Sequence, residues 1–146
     1  KLHALAFRRQ GTLPFPEMLM LSSAAENDLT VIKTEVAESL RNRNIFADKI
    51  YSDFPFWAEK QKLQGVCMLT PVKAIKGEET VITQREKACR DLYSTAVSKI
   101  RQPIESLFNW INVKTTIQRA MKVRSTPGLL IHTMGKIAIA FIYLIF

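Results

Sequence analysis

Two carboxylates stand out by their placement, Asp48 and Glu105. Asp48 follows the apolar centre Ile45, Phe46, Ala47 of the segment Asn44–Tyr51 (NIFADKIY). Glu105 is the single acid between residues 97 and 146, set among Lys99, Arg101 and Lys114. An acid at a strand end and another on a helix can meet at a sheet edge. Such a pair suits Mg²⁺, a hard cation that takes oxygen ligands and binds through one or two carboxylates plus phosphate. Two such ions serve phosphoryl transfer by activating the attacking oxygen and stabilising the leaving oxygen. Each residue also has a structural reading. An Asp at a strand end can be a turn residue. A Glu two positions after a helix-starting proline, here Pro103, complements the positive pole of the helix. Arg101 and Glu105, spaced i, i+4, can form a surface ion pair of little energetic weight.

The remaining chemistry-bearing side chains form weaker patterns. His3 and His132 lie far apart and share no ligand spacing, so both read as structural or surface residues. Cys67 and Cys89 are 22 apart and form no metal signature. Cys67 lies in the apolar run Val66–Leu69 and reads as a buried core thiol. No glycine-rich phosphate loop is present. Trp57, Trp110 and Phe108 could stack on bases, but at helical spacing they read as core.

The elements that would position these residues follow from hydropathy and punctuation. Leu2–Arg9 and Glu17–Ser22 read as strands joined as a hairpin across the proline-bearing turn Thr12–Pro16. Asn27 or Asp28 can cap a helix to Leu40, with Leu29, Ile32, Val36 and Leu40 on one face. Asn44–Tyr51 reads as a strand, Asp53–Leu63 as a short helix whose regular part follows Pro55, and Gly65–Val72 as a strand stopped by Pro71. Lys73–Thr80 is a polar loop. A helix runs from Gln84 to about Ile100, and Pro103 either kinks it or opens a new one. Ile100, Ile104, Phe108 and Ile111 make its apolar face beside a stripe of Arg101, Glu105 and Asn109. Ser125–Gly128 is a turn before a last apolar helix, Leu129–Phe146. The order implies a mixed α/β layered domain.

Composition bounds the partners. With 146 residues, 47% hydrophobic and 23% charged, the chain is long enough for one domain with one core and is not a disordered tail. It opens on Lys1 and reads as a piece of something longer. The net charge of +8 is uneven: residues 1–96 carry 14 Lys/Arg against 12 Asp/Glu, whereas residues 97–146 carry seven against one. A basic C-terminal third suits a polyanion, nucleic acid or an anionic membrane, or else is a solvated basic face. The ten apolar residues Ile137–Phe146 are about half of a bilayer span. His132 and Lys136 interrupt any longer one, so a buried terminal helix is expected and no membrane partner. Nothing in the sequence signals secretion, so a reducing compartment is expected.

The segment Val97–Lys114 (VSKIRQPIESLFNWINVK) resembles the region around the third catalytic acid of DDE-class transposases of bacterial insertion sequences. Those show a Tyr, two residues, an Arg, three residues, a Glu, six residues and a Lys. Arg101 and Glu105 match in type and spacing. Ser98 stands where the Tyr would be and Asn112 where the Lys would be, with Lys114 two later. KLHAL resembles the family's second strand, SSAAENDLTVI the segment leading into its first helix, and IFADKIY its second-aspartate strand. IQRAMKVRSTPGLLIHTMGKIAIAFI resembles the tail after the glutamate. The resemblance covers nearly the whole chain.

It implies a ribonuclease H-like α/β fold, a mixed sheet flanked by helices, here truncated at its N-terminus. Residues 1–146 would be a single partial catalytic domain, lacking the first strand and the first catalytic aspartate. In the intact protein Asp48 and Glu105 would be catalytic metal ligands for two Mg²⁺ (or Mn²⁺) ions, with Arg101 orienting Glu105 or touching phosphate. The activity would be strand cleavage and strand transfer at insertion-sequence ends. DNA would be the partner, in the bacterial cytoplasm at the nucleoid, with a homodimer conceivable. Lys99, Lys114, Arg119, Lys122 and Arg124 would contact phosphates, which carry affinity and not sequence choice. The fragment alone would be inactive. The alternatives are a non-catalytic DNA-binding remnant and a basic membrane-associated protein.

Overall fold

The computed structural model describes residues 1–73, 77–119 and 123–146. The architecture is mixed α/β, with helix predominating over two small sheets. Strands β1 (Leu2–Phe7) and β2 (Phe15–Leu21) pair as the expected hairpin. Strands β3 (Arg43–Phe46) and β4 (Val66–Leu69) form a parallel pair in the register Arg43↔Val66 to Phe46↔Leu69. Helix α2 (Phe54–Gln64) makes the crossover between them, because parallel neighbours cannot be joined by a tight turn.

The chain divides into two compact units. The first holds Lys1–His3 and Leu19–Gln102. Its helical segment starts where Asn27 accepts a hydrogen bond from the Leu29 N–H, the cap expected for that residue type. Helix α1 (Asp28–Val31) then widens into a π-turn over Ile32–Val36 and tightens into a 3₁₀ turn over Ala37–Ser39. Regular α spacing would have aligned Leu29, Ile32, Val36 and Leu40. In the π-turn the Ala37 N–H bonds to the Ile32 carbonyl, five residues back. Residues five apart are thereby brought into line, and Val31, Val36, Ala37 and Leu40 are the buried set.

Helix α2 is bounded by three signals. Asp53 caps it by accepting from the Phe56 N–H, Pro55 sits in its first turn, and Gly65 ends it at φ +65°. The Gly65 position is tight: a Cβ there would lie 2.5 Å from Asn42 Oδ1. Trp57 is buried and its indole N–H donates to the Tyr51 carbonyl at 2.8 Å. The buried Lys60 ammonium is paired with Glu38, which ties α2 to the 3₁₀ turn. Cys67, on β4, is half-buried and not the fully buried thiol expected, because β4 has a single strand neighbour among the described residues.

Helix α3 (Thr80–Thr115) runs through Pro103 without ending. The sequence left open whether Pro103 kinks one helix or starts another, and the single helix is what forms. Arg90 anchors its start: the guanidinium bonds both carboxylate oxygens of Glu78 at 2.6 and 2.7 Å and also Glu86 at 2.7 Å. The polar loop expected over Lys73–Thr80 falls partly on residues 74–76, outside the described residues.

The second unit holds Ala4–Met18 and Pro103–Phe146. Its core is Leu107, Ile111 and Ala140, with Ala6, Leu13, Ile104, Trp110, Ile117 and Leu144 packed around them. Phe15 meets Phe141 edge to face at 5.6 Å. Helix α4 (Thr126–Ile145) begins earlier than expected, because Ser125 caps it through the Gly128 N–H and Pro127 fits its first turn. The expectation of a buried terminal helix does not hold. Ile137 and Ala140 are its buried residues, while Ile131, Met134, Ile142 and Ile145 are exposed. One stripe is enough to close this core, and α4 is apolar nearly all round.

Candidate functional site

Asp48 stands two residues beyond β3, at the carboxyl end of the parallel pair. The ladder closes just before it, where the Ala47 N–H donates to the Leu69 carbonyl at 3.0 Å. In sheets built from βαβ units, ligands sit beyond the carboxyl ends of the strands, since loops there are free of ladder bonds. The Asp48 side chain is exposed, and its Oδ1 accepts from the Lys49 N–H at 2.7 Å, capping the 3₁₀ turn Lys49–Tyr51. The turn-residue reading and the ligand reading are therefore compatible. One oxygen caps, and a carboxylate has further lone pairs to offer.

The same corner holds two residues that sequence spacing did not single out. The Tyr51 hydroxyl is held above the usual phenol range, first by burial and then by the negative charges of Asp28 and Asp48. Asp28 thus faces the same phenol as Asp48, and its Oδ1 is bonded by the Lys1 ammonium at 2.8 Å. No sequence signal pairs Asp28 with Asp48, because 20 residues and a helix separate them. His3 lies close by, its Nε2 2.8 Å from Ser22 Oγ. Its pKa is lowered, chiefly by burial, against the raising effect of Asp28.

Glu105 and Arg101 both lie on α3, one turn apart, with Glu105 exposed and Arg101 half-buried. Asp48 and Arg101 belong to the first compact unit and Glu105 to the second. The residues expected to touch phosphate are placed as follows. Lys99 is exposed on α3. Lys114 is exposed at the end of α3, its ammonium 5.9 Å above the Tyr143 ring. Arg119 and Arg124 are exposed between α3 and α4. Lys122 lies outside the described residues.

For Mg²⁺, the donor chemistry of Asp48 and Glu105 fits, both being exposed carboxylates able to offer oxygen ligands. Among the described residues no group of three or more His, Cys, Asp or Glu side chains is placed to hold a metal ion.

Elsewhere the charged clusters are structural. Lys33 is paired with Asp53 and lies 4.7 Å from the Phe56 ring centroid, with Lys60 at 5.5 Å from the same ring. Only the Asp53–Pro55 start of this cluster was legible as a helix cap. Comparison of the chain with family models, with characterised proteins and with solved structures returned no match.

Proposed function

We propose that the chain is part of the catalytic domain of a DDE-class transposase, with Asp48 as the second acid and Glu105 as the third. The observation that carries the reading is the position of Asp48, exposed at the carboxyl end of a parallel βαβ unit, where ligand sites of such units lie. The Arg101-x-x-x-Glu105 spacing on α3 supports it. So does the division of the strands into two sheets of two, each smaller than a sheet that stands by itself. A further strand carrying the first aspartate would enlarge them into the mixed sheet of a ribonuclease H-like fold.

In this reading Asp48, Glu105 and the upstream aspartate hold Mg²⁺, which supplies charge neutralisation at the scissile phosphate when bound. Arg101 orients Glu105 or bonds phosphate. Lys114, Arg119 and Arg124 bind the DNA backbone, with no sequence choice. The basic segment after Glu105 also supports a second reading, a DNA-binding remnant without catalysis.

The test begins with the DNA flanking the coding region. An in-frame upstream strand with an Asp, and inverted repeats bracketing the gene, are expected. The protein extended through that strand should nick DNA bearing those repeats only with Mg²⁺ or Mn²⁺, while residues 1–146 alone should not. Asp48→Asn and Glu105→Gln should each abolish nicking and leave salt-sensitive DNA binding in place. Undiminished nicking by Asp48→Asn would sink the catalytic assignment. Binding without nicking in the extended protein would favour the remnant.

A further inference from the structure

Helix α4 turns a charge-free apolar face away from its own core. Its inward side carries Ile137, Ala140 and Leu144, buried or packed on the Leu107–Ile111 cluster. At 3.6 residues per turn the opposite side carries Ile131, Met134, Gly135, Ala138, Ile142 and Ile145. All six are exposed, Ile131 at 74%, Ile142 at 57% and Ile145 at 63%. The helix has no acid, and its single charge, Lys136, projects from the flank nearer the core. Water-facing isoleucines in a row of this kind mark a surface that is covered in the working state.

We infer that this face is the contact between two copies of the chain, with the two α4 helices packed antiparallel about a two-fold axis between Gly135 and Ala138. The pattern is self-complementary under that operation. Ile131 of one copy falls opposite Ile142 of the other, and Gly135 opposite Ala138. The small central pair lets the helices approach closely, and the larger residues interlock on either side. An isologous contact needs this kind of match, since the same patch must fit itself.

Two quantities favour a second copy over a lipid surface. The exposed apolar area of the face is roughly 600 Å² per copy, so pairing would bury about 1,200 Å² in all, at the threshold of a specific interface. A helix that rests on an anionic bilayer carries its Lys and Arg along the borders of the apolar face. Here those borders are Leu130, Phe141 and Ile139. The inference stands apart from the transposase reading, since neither DNA nor metal enters it.

Sedimentation velocity on the full 146-residue chain over a concentration series is the first test. A concentration-dependent shift to twice the monomer mass is expected. The double variant Ile131→Glu/Ile142→Glu should sediment as monomer with unchanged far-ultraviolet circular dichroism. In a Cys67→Ser/Cys89→Ser background, Ala138→Cys should cross-link on mild oxidation and Ile131→Cys should not. A wild-type chain monomeric throughout, or a dimer that survives the double variant, overturns the inference. Efficient cross-linking of Ile131→Cys overturns the antiparallel arrangement. Flotation of the wild-type chain, without dimerisation, on vesicles of phosphatidylcholine and phosphatidylglycerol would assign the face to lipid instead.

Discussion

Asp53 holds two structural jobs with one carboxylate. It caps α2 through the Phe56 N–H at 3.3 Å, and it pairs with the Lys33 ammonium. The Lys33 hydrogen bond is the larger cause of its lowered pKa, followed by the Phe56 N–H. A carboxylate whose folded pKa is depressed contributes stability that is complete above its unfolded value. That contribution is lost as pH falls through the folded one. With an unfolded value near 3.9, the window lies below about pH 4. Asp53→Asn keeps the cap and removes the ion pair, and Asp53→Ala removes both. The alanine variant should lose about 1 kcal/mol more than the asparagine variant, read from urea midpoints at neutral pH. The wild-type advantage over Asp53→Asn should shrink in acid. An advantage that grew below pH 4 would mean the ion pair is not the source.

At the scale of the element, α3 is the case where local chemistry and outcome disagree. Pro103 removes an N–H from the helix interior, and its ring crowds the preceding turn, yet the helix runs on to Thr115. The compensation comes from packing. Ile104, Leu107 and Ile111 follow Pro103 directly, and two of the three are almost fully buried. Pro103→Ala should therefore stabilise the chain by about 1–3 kcal/mol, because an interior proline costs about 3 kcal/mol relative to alanine. A lowered urea midpoint would show instead that the packing of α3 depends on the proline. Gly65 makes the opposite case, a residue chosen by the element's end. Its positive φ and the nearby Asn42 oxygen leave no room for a side chain, so Gly65→Ala should cost about 1–2 kcal/mol.

At the scale of the whole molecule, the cores are small and few residues carry each. In the second unit Leu107 has no exposed surface and sits between Ile111 and Ala140. Leu107→Ala should cost about 2–5 kcal/mol, the range for a buried leucine that leaves a cavity. Trp110 packs on the same cluster, so its fluorescence in a Trp57→Phe background reads the transition of that unit. A change under 1 kcal/mol would mean that the cluster collapses onto the gap. The uneven charge belongs to this scale too. The basic residues after Glu105 act together on a polyanion, and no single one of them defines a site.

Much of the local structure was legible because its causes are local. The Asn27 and Asp53 caps, the Pro55 and Pro127 first turns, the hairpin and the β3–α2–β4 order follow from residue type and spacing within a few positions. So does the placement of Asp48 just past a strand. The π-turn did not follow, because the choice between burying Ile32 and burying Val31 rests on what packs against α1. Nor did Leu107, whose burial depends on residues as distant in sequence as Ala6 and Ala140. Asp28 beside Tyr51 and Lys60 beside Glu38 are long-range neighbours of the same kind. Hydropathy alone set α4 down as buried, since periodicity cannot tell an apolar face that finds a partner in its own chain from one that does not. The sequence by itself determined which segments become helix or strand and which acids could do chemistry. Only the tertiary structure decided which faces are covered, because burial is a property of pairs of elements.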